Sequence, residues 1–291
     1  MGRIATNISQ QIATLESRGM VFDLPPEKVK EILLDIGYYR LGFYWNPFEI
    51  DTDHNFVKGT LFSNVVTLYY LDVDLRNLLL KYLNRIEINF RTKLVYYASN
   101  KYKNSPTWFI DPKIINNEYI ANIGKYYNSD FKRTNKTIKQ HHLKNINDLY
   151  APAWKTLEFF TFGAVLKTFK CLNDEDLKIR ISNLYGVLNL SKFINLFDTI
   201  VFVRNTCAHG GVLFDFMTPK GIAVLPAIKL NNNDRHSLDS AIKIILYILK
   251  SISAERENDL NNDLKALFLK HFDVEIIKNI IASKIGFDFS K

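Results

Sequence analysis

The sequence predicts an all-α protein, a helical bundle carrying additional N- and C-terminal helices. Three observations predict it. Glycine (12) and proline (8), the poorest helix formers, are scarce in 291 residues. From about Leu61 to Tyr102 hardly a breaker occurs, and Leu68, Leu71, Leu75, Leu78, Leu79, Tyr82, Leu83, Ile86, Phe90 and Leu94 recur at helical spacing. Start and stop signals also fall where helices would need them, at Gly19, Pro25-Pro26, Ser105-Pro106 and Gly210-Gly211.

In chain order, residues 9–18 form a short helix stopped by Gly19, and Pro25-Pro26 opens a second. Gly37 to Phe48 is an aromatic run (Tyr38, Tyr39, Phe43, Tyr44, Trp45, Phe48), read first as core and second as an RNA-stacking surface. The breaker-free stretch to Tyr102 reads as one long or two consecutive helices. Trp154 to Leu172 is again helical, with a shorter helix from Asp174 to Tyr185. Ser191 is expected to cap the next helix, whose apolar side carries Phe193, Ile194, Phe197, Ile200 and Val201. Gly221 to Leu230 has mild strand character and reads as a short hairpin or a loop. Helices from Leu238, Ala254 and Val274 complete the chain. No repeat or low-complexity linker marks a boundary. The expected organisation is an N-terminal helical and aromatic element (1–60), a helical core (61–215) and a C-terminal helical extension (216–291), which can pack as one domain.

The formal net charge of +8 favours a polyanionic partner, either nucleic acid or an acidic membrane surface. No stretch supplies the ~18–20 consecutive apolar residues of a membrane span. Ile242 to Leu249 comes nearest and is interrupted by Lys243. Without a signal-type apolar core near the N-terminus, the expectation is a cytoplasmic protein. Cys171 and Cys207, far apart and without metal-type spacing, are expected to be reduced, buried thiols.

Charge is unevenly spread. Lys125 to Asn145 carries Lys125, Lys132, Arg133, Lys136, Lys139 and Lys144 against the single acid Asp130, with Tyr126, Tyr127, Phe131, His141 and His142 interleaved. Two readings stay open: lysines neutralising phosphates with rings stacking on bases, or a solvated loop. His141-His142 has no carboxylate or cysteine at ligand spacing, so neither a metal nor another cofactor is expected.

The stretch richest in chemistry is Phe202-Val-Arg-Asn-Thr-Cys-Ala-His-Gly-Gly211. Asn205 and His209 lie one turn apart on one face. Arg204 and His209 diverge by roughly 140° on an ideal helix and converge only at a helix end, a groove or a dimer interface. Gly210-Gly211 supplies such an end. Histidine suits proton transfer near neutral pH, and arginine grips two phosphate oxygens at once. Together they suit RNA cleavage without metal, in which a 2′-hydroxyl attacks the adjacent phosphate. The residues alone favour the plainer reading, a histidine capping its own helix with an arginine paired to a neighbouring acid. Glu87 and Arg91, spaced i,i+4, form a surface pair in the plain reading.

The stretch around Arg204 and His209 resembles the Arg-Asn-x-x-Ala-His signature of the HEPN superfamily. Other stretches resemble the abortive-infection (Abi-like, AbiD/AbiF-type) family. They are Gln10-Gln11-Ile-x-x-Leu15-x-x-Arg18-Gly19, Leu34-x-x-Gly37-Tyr-Tyr-Arg-Leu41 with Pro47-Phe48, Asp74-Leu-Arg76, Arg85-Ile-Glu87-x-x-x-Arg91-Thr92, and Trp154-x-x-x-Glu158-x-x-x-Phe162-Gly163. The resemblance spans about residues 10–215. It implies a HEPN-like helical fold and a phage-defence effector acting as a metal-independent endoribonuclease that leaves a cyclic phosphate. A structured noncoding RNA is implied as a controlling partner. By the same resemblance, Arg204, Asn205 and His209 are the catalytic set, and Glu87 and Arg91 orient it. HEPN nucleases pair two such motifs, and this chain holds one Arg-x4-His, so a homodimer is implied. The alternatives are a HEPN-fold protein that binds RNA without cutting it and a sensor of a phage protein.

Overall fold

A computed structural model describes residues 4–287. Among these residues fourteen α-helices are present, and extended pairing is limited to isolated bridges. The helices are α1 (Ile8–Ser17), α2 (Pro26–Asp35), α3 (Tyr38–Trp45), α4 (Phe62–Lys101), α5 (Asn117–Ala121), α6 (Ser129–Thr134) and α7 (Lys136–Lys144). They continue with α8 (Ala153–Thr156), α9 (Phe162–Lys170), α10 (Glu175–Asn183), α11 (Leu190–Ala208), α12 (Leu238–Ile252), α13 (Ala254–Leu269) and α14 (Glu275–Ile280).

The breaker-free stretch is a single helix. α4 runs 40 residues without glycine or proline, which at a rise of roughly 1.5 Å per residue is about 60 Å. It is the mast of the molecule: α3, α8, α9, α10, α11, α12, α13 and α14 all pack against it. A helix covered on several sides cannot keep a single apolar stripe, and its buried positions include Asp72, Arg76 and Glu87 among the leucines. The C-terminal helices belong to the same body. α12 buries Leu238, Ala241, Ile244, Ile245, Ile248 and Leu249 and packs on α4, α11 and α13.

Side-chain caps start several helices. Asn7 and Gln10 make a reciprocal capping box on α1, and Thr161 caps α9. α11 begins two residues earlier than a Ser191 cap would allow. Asn189 accepts the Lys192 amide at 2.9 Å, and Ser191 only donates to the Asn189 side chain. Asparagine is at least as good a cap as serine, and here it holds the position that leaves Leu190 inside the helix. The stretch from Trp154 to Leu172 is likewise not one helix. After α8 a 3₁₀ turn (Leu157–Phe159) leads to extended Phe160, and α9 then starts afresh at the Thr161 cap. The segment from Gly221 to Leu230 is a loop, its course held by Asn195, which binds the Gly221 carbonyl and the Ala223 amide.

Where α4 meets α9 and α11, phenylalanines fill the core. Phe90 stands 4.7 Å (ring centroids) from Phe197, 5.5 Å from Phe169, and 6.2 Å from both Phe162 and Phe193. Tyr185 closes the cluster and donates from its hydroxyl to Asn89 at 2.8 Å. Such ring contacts add to the area buried and set the axial register of α4 against α11. Phe90→Ala should therefore cost about 3–5 kcal/mol of stability. Urea unfolding followed by circular dichroism measures this, and a loss below about 1 kcal/mol would show that the cluster is loosely packed.

Candidate functional site

The chemistry-bearing residues gather where α11 ends. His209 is the C-cap residue, and its side chain is exposed. The Gly210 amide donates to the Cys207 carbonyl at 3.3 Å and the Gly211 amide to Thr206 at 2.7 Å, the paired bonds of a Schellman ending. The two glycines serve different needs. Gly210 takes a left-handed φ of 69°, which side-chain-bearing residues rarely adopt. A Cβ on Gly211 would lie 2.6 Å from Thr206 Cγ2 and 3.1 Å from its carbonyl oxygen, so the chain can turn there only without one. The double glycine stops the helix within one residue of His209 and turns the chain away from the imidazole.

One turn back on α11, Arg204 reaches α4. Its Nε is 3.3 Å from Glu87 Oε2, and one terminal nitrogen donates to Asn205 Oδ1 at 3.3 Å. Glu87 Oε1 accepts from Arg91 at 2.7 Å, and the same Arg91 nitrogen donates to the Phe160 carbonyl at 2.9 Å. A single carboxylate thus stands between two guanidiniums. Glu87 and Arg91 are not the exposed pair of the plain sequence reading, for their side chains are only 10% and 11% accessible. Glu87 Oε2 and Arg204 Nε attract by charge without a hydrogen-bonded alignment. Among the described residues four buried side-chain polar atoms lack a hydrogen bond, and three are Glu87 Oε2, Arg91 Nε and Arg204 Nε. Each such atom ordinarily costs about 1–3 kcal/mol, so their concentration in one cluster needs a reason.

Sequence reasoning missed a second polar cluster that holds the chain just beyond His209. Arg40, from α3, donates to the Gly210 carbonyl. Arg76, from α4, donates to the Gly211 carbonyl at 3.1 Å and pairs with Asp72. Asp72 Oδ1 accepts the amides of Leu213 and Phe214 at 2.8 and 2.9 Å, and its Oδ2 accepts the Tyr44 hydroxyl at 2.9 Å. Asp72 and Arg76 are 1% and 6% exposed. Burial pushes the Asp72 carboxyl above the usual carboxylate range, while Arg76, the two amides and the Tyr44 hydroxyl pull it back. Two cations on the final carbonyls also suit the negative end of the helix dipole. A signal was present in the sequence: positions 72 and 76 fall on the stripe of Leu68, Leu75 and Leu79, where a charge must be paired.

The basic stretch is not a loop. It folds into α6 and α7, opened by Asn128, which caps α6 by accepting the Phe131 amide at 2.9 Å. Its rings turn inward. Tyr127 is buried and packs against Phe131 and Tyr150, and Phe131 packs on Phe160. His142 bonds the Tyr127 hydroxyl at 2.7 Å, and buried His141 bonds Asp148 at 2.9 Å. Lys125, Arg133, Lys136, Lys139 and Lys144 remain exposed, whereas half-buried Lys132 lies over the Tyr127 ring. Of the thiols, Cys207 is buried and Cys171 only half-buried. Among the described residues no helix is long and apolar enough to cross a membrane, and no group of three or more His, Cys, Asp or Glu is placed to hold a metal ion.

The Asp72 cluster makes a direct expectation. Asp72→Asn leaves Arg76 buried without its counter-charge, which typically costs about 3–5 kcal/mol. The double replacement Asp72→Leu with Arg76→Met removes both charges and should be less damaging than the single one. Urea denaturation of the three proteins is the check, and equal stability of Asp72→Asn and wild type would show the pair to be unimportant.

No curated protein and no solved structure matches the chain. A family model described as Abi-like protein matches residues 31–215, a span holding α3, α4, α11 and every residue of both polar clusters. The chain belongs to the Abi-like protein family.

Proposed function

We propose that this protein is an abortive-infection effector that cleaves RNA at Arg204, Asn205 and His209 by attack of a 2′-hydroxyl on the neighbouring phosphate. The observation that carries the reading is the joining of two features at one helix end. They are an exposed histidine and, one turn away, a buried Arg91–Glu87–Arg204 cluster with three polar atoms short of hydrogen bonds. The family membership supports the defence role, and the resemblance to the HEPN Arg-x4-His signature supports the chemistry.

In this mechanism His209 takes the proton of the 2′-hydroxyl, and O2′ bonds to phosphorus. The P–O5′ bond breaks, the departing oxygen takes a proton from water, and His209 returns its proton to solvent. The products are a 2′,3′-cyclic phosphate and a 5′-hydroxyl. Arg204, a quarter exposed, stabilises the charge growing on the phosphoryl oxygens. Asn205 and Glu87 hold its guanidinium, and Arg91 shares Glu87 so that the carboxylate is not free to neutralise Arg204 alone. No step draws on a cofactor. Lys125, Lys132, Arg133, Lys136, Lys139 and Lys144 would meet phosphates of the bound strand by charge, without base stacking from the inward-facing rings. A partner RNA that restrains or guides the protein would bind through the same charge.

One Arg-x4-His motif per chain supports a homodimer in which two copies of the site face each other across a groove. Light scattering at micromolar concentration should report a dimer, and a stable monomer with full cleavage activity would remove that arrangement.

Cleavage itself is tested with a labelled RNA and EDTA present. Wild type should cut and leave cyclic phosphate ends. His209→Ala should lose about 10²–10⁴ in rate with stability unchanged, because its side chain is exposed. Arg204→Ala should lose cleavage and also weaken RNA binding. Equal cutting by all three proteins, or strict metal dependence of the wild type, would defeat the mechanism. Tight binding without cutting by any of them would leave an RNA-binding module.

A further inference from the structure

A cavity of about 540 Å³ lies between α5 with the turn after it, α9 and α10, and of the residues assigned a role above only Lys125 lines it. Lys125, Lys167, Lys170 and Lys178 line it together with the single acid Glu118. Lys170 is engaged by Asp198 of α11. The side chains of Lys125, Lys167 and Lys178 have no ion pair among the described residues. Three unpaired cations against the one acid leave the concave space net positive and focus a positive field into it.

The walls are fixed rather than pliable. The Asn116 amide donates to the Cys171 carbonyl at 2.9 Å, and the Asn173 amide to Ile114 at 2.8 Å, tying the α5 side of the cavity to the end of α9. Tyr119 is anchored by a 2.7 Å hydrogen bond between its hydroxyl and Thr168, and its ring stacks on Tyr126. Half-buried Cys171 lines the space. Burial raises its thiol, while Lys167, Lys178 and Lys170 lower it and Glu118 opposes them.

We propose that this cavity is a binding site for a phosphate-bearing ligand held by Lys125, Lys167 and Lys178. Its volume falls in the range of about 300–1,000 Å³ that accommodates small-molecule groups, well above the space of a lone ion. Its three free ammonium groups match the charge of several phosphate oxygens. Those oxygens come either from a free polyphosphate or from a nucleic acid strand, and the chemistry of the grip is the same. Occupancy reaches the Glu87 cluster by packing. Tyr126 lines the cavity and lies 5.8 Å (ring centroids) from Phe160, whose carbonyl accepts from Arg91.

Cys171 reports occupancy directly, and buried Cys207 is the internal control. Full-length His209→Ala protein is alkylated with iodoacetamide, with or without inorganic tripolyphosphate or a single-stranded RNA oligonucleotide, and each thiol is followed by mass spectrometry. A ligand in the cavity should slow Cys171 alkylation roughly tenfold at about ten times its dissociation constant. Protection by tripolyphosphate matching that by RNA identifies free polyphosphate as a sufficient ligand. Much stronger protection by RNA identifies the strand. Either result supports the site. Lys167→Ala combined with Lys178→Ala, checked for native circular dichroism, should abolish the protection. No protection by either probe, or protection unchanged in the double variant, overturns the proposal. The readout is independent of cleavage, so it stands whether or not His209 is catalytic.

Discussion

One negative charge organises the candidate site. Glu87 lies inside the fold between Arg91 of its own helix and Arg204 of α11. A buried carboxylate is costly unless paired, and here two guanidiniums share it, while exposed Glu158 stands 3.9 Å from the outer side of Arg91. Arg204, a quarter exposed, is the member of the cluster that an anionic substrate would meet. The arrangement needs α4 and α11 in one register, and the Phe90, Phe193 and Phe197 rings set it. Phe90 follows Glu87 by three residues, so the apolar contact and the ionic one lie on the same flank of α4. Sliding either helix by one turn would move a ring out of the core and Arg204 away from its acid together.

The second constraint acts on the end of α11. A helix terminus frays unless its last carbonyls find donors, and a catalytic group on a fraying end would be poorly aimed. Here Arg40 from α3 and Arg76 from α4 supply those donors, while Asp72 takes the amides of the chain that leaves. Among the described residues His209 itself makes only the backbone bonds of its cap. Its backbone is therefore held while its ring stays exposed, the division of labour that the proposed proton transfer would require.

How much of this was legible in the sequence depends on whether the signal was periodic or positional. The long helix announced itself because α4 has no glycine or proline and a leucine stripe running through it. The helix end at Gly210-Gly211 was legible because glycine after a periodic run has one common structural meaning. Glu87 meeting Arg204 was not legible from spacing, since 117 residues of chain separate them. Asp72 and Tyr44 escaped because long-range polar contacts leave no local pattern. The charges of the 125–145 stretch were easy to read, but the direction of its rings was not. Tyr127 and Phe131 turn inward because Phe160 and Tyr150 offer apolar surface there, a fact of tertiary packing. Phe160 was itself hidden inside what looked like one continuous helix.

That break in the helix ties the molecule together. If α8 and α9 ran as one helix, the Phe160 carbonyl would be spent on an amide one turn ahead. The extended backbone at Phe160 leaves that carbonyl free for Arg91, and its ring lies among Phe109, Tyr126 and Phe131. One residue therefore contacts the Glu87 cluster through its backbone and, through its ring, Tyr126 in the wall of the lysine-lined cavity. Thr161 makes the geometry affordable, because its hydroxyl restarts the helix and leaves no amide of α9's first turn stranded at Ala164. Coupling between cavity and cluster needs a physical path with few soft joints, and Tyr126 packed on Phe160 supplies one of two residues.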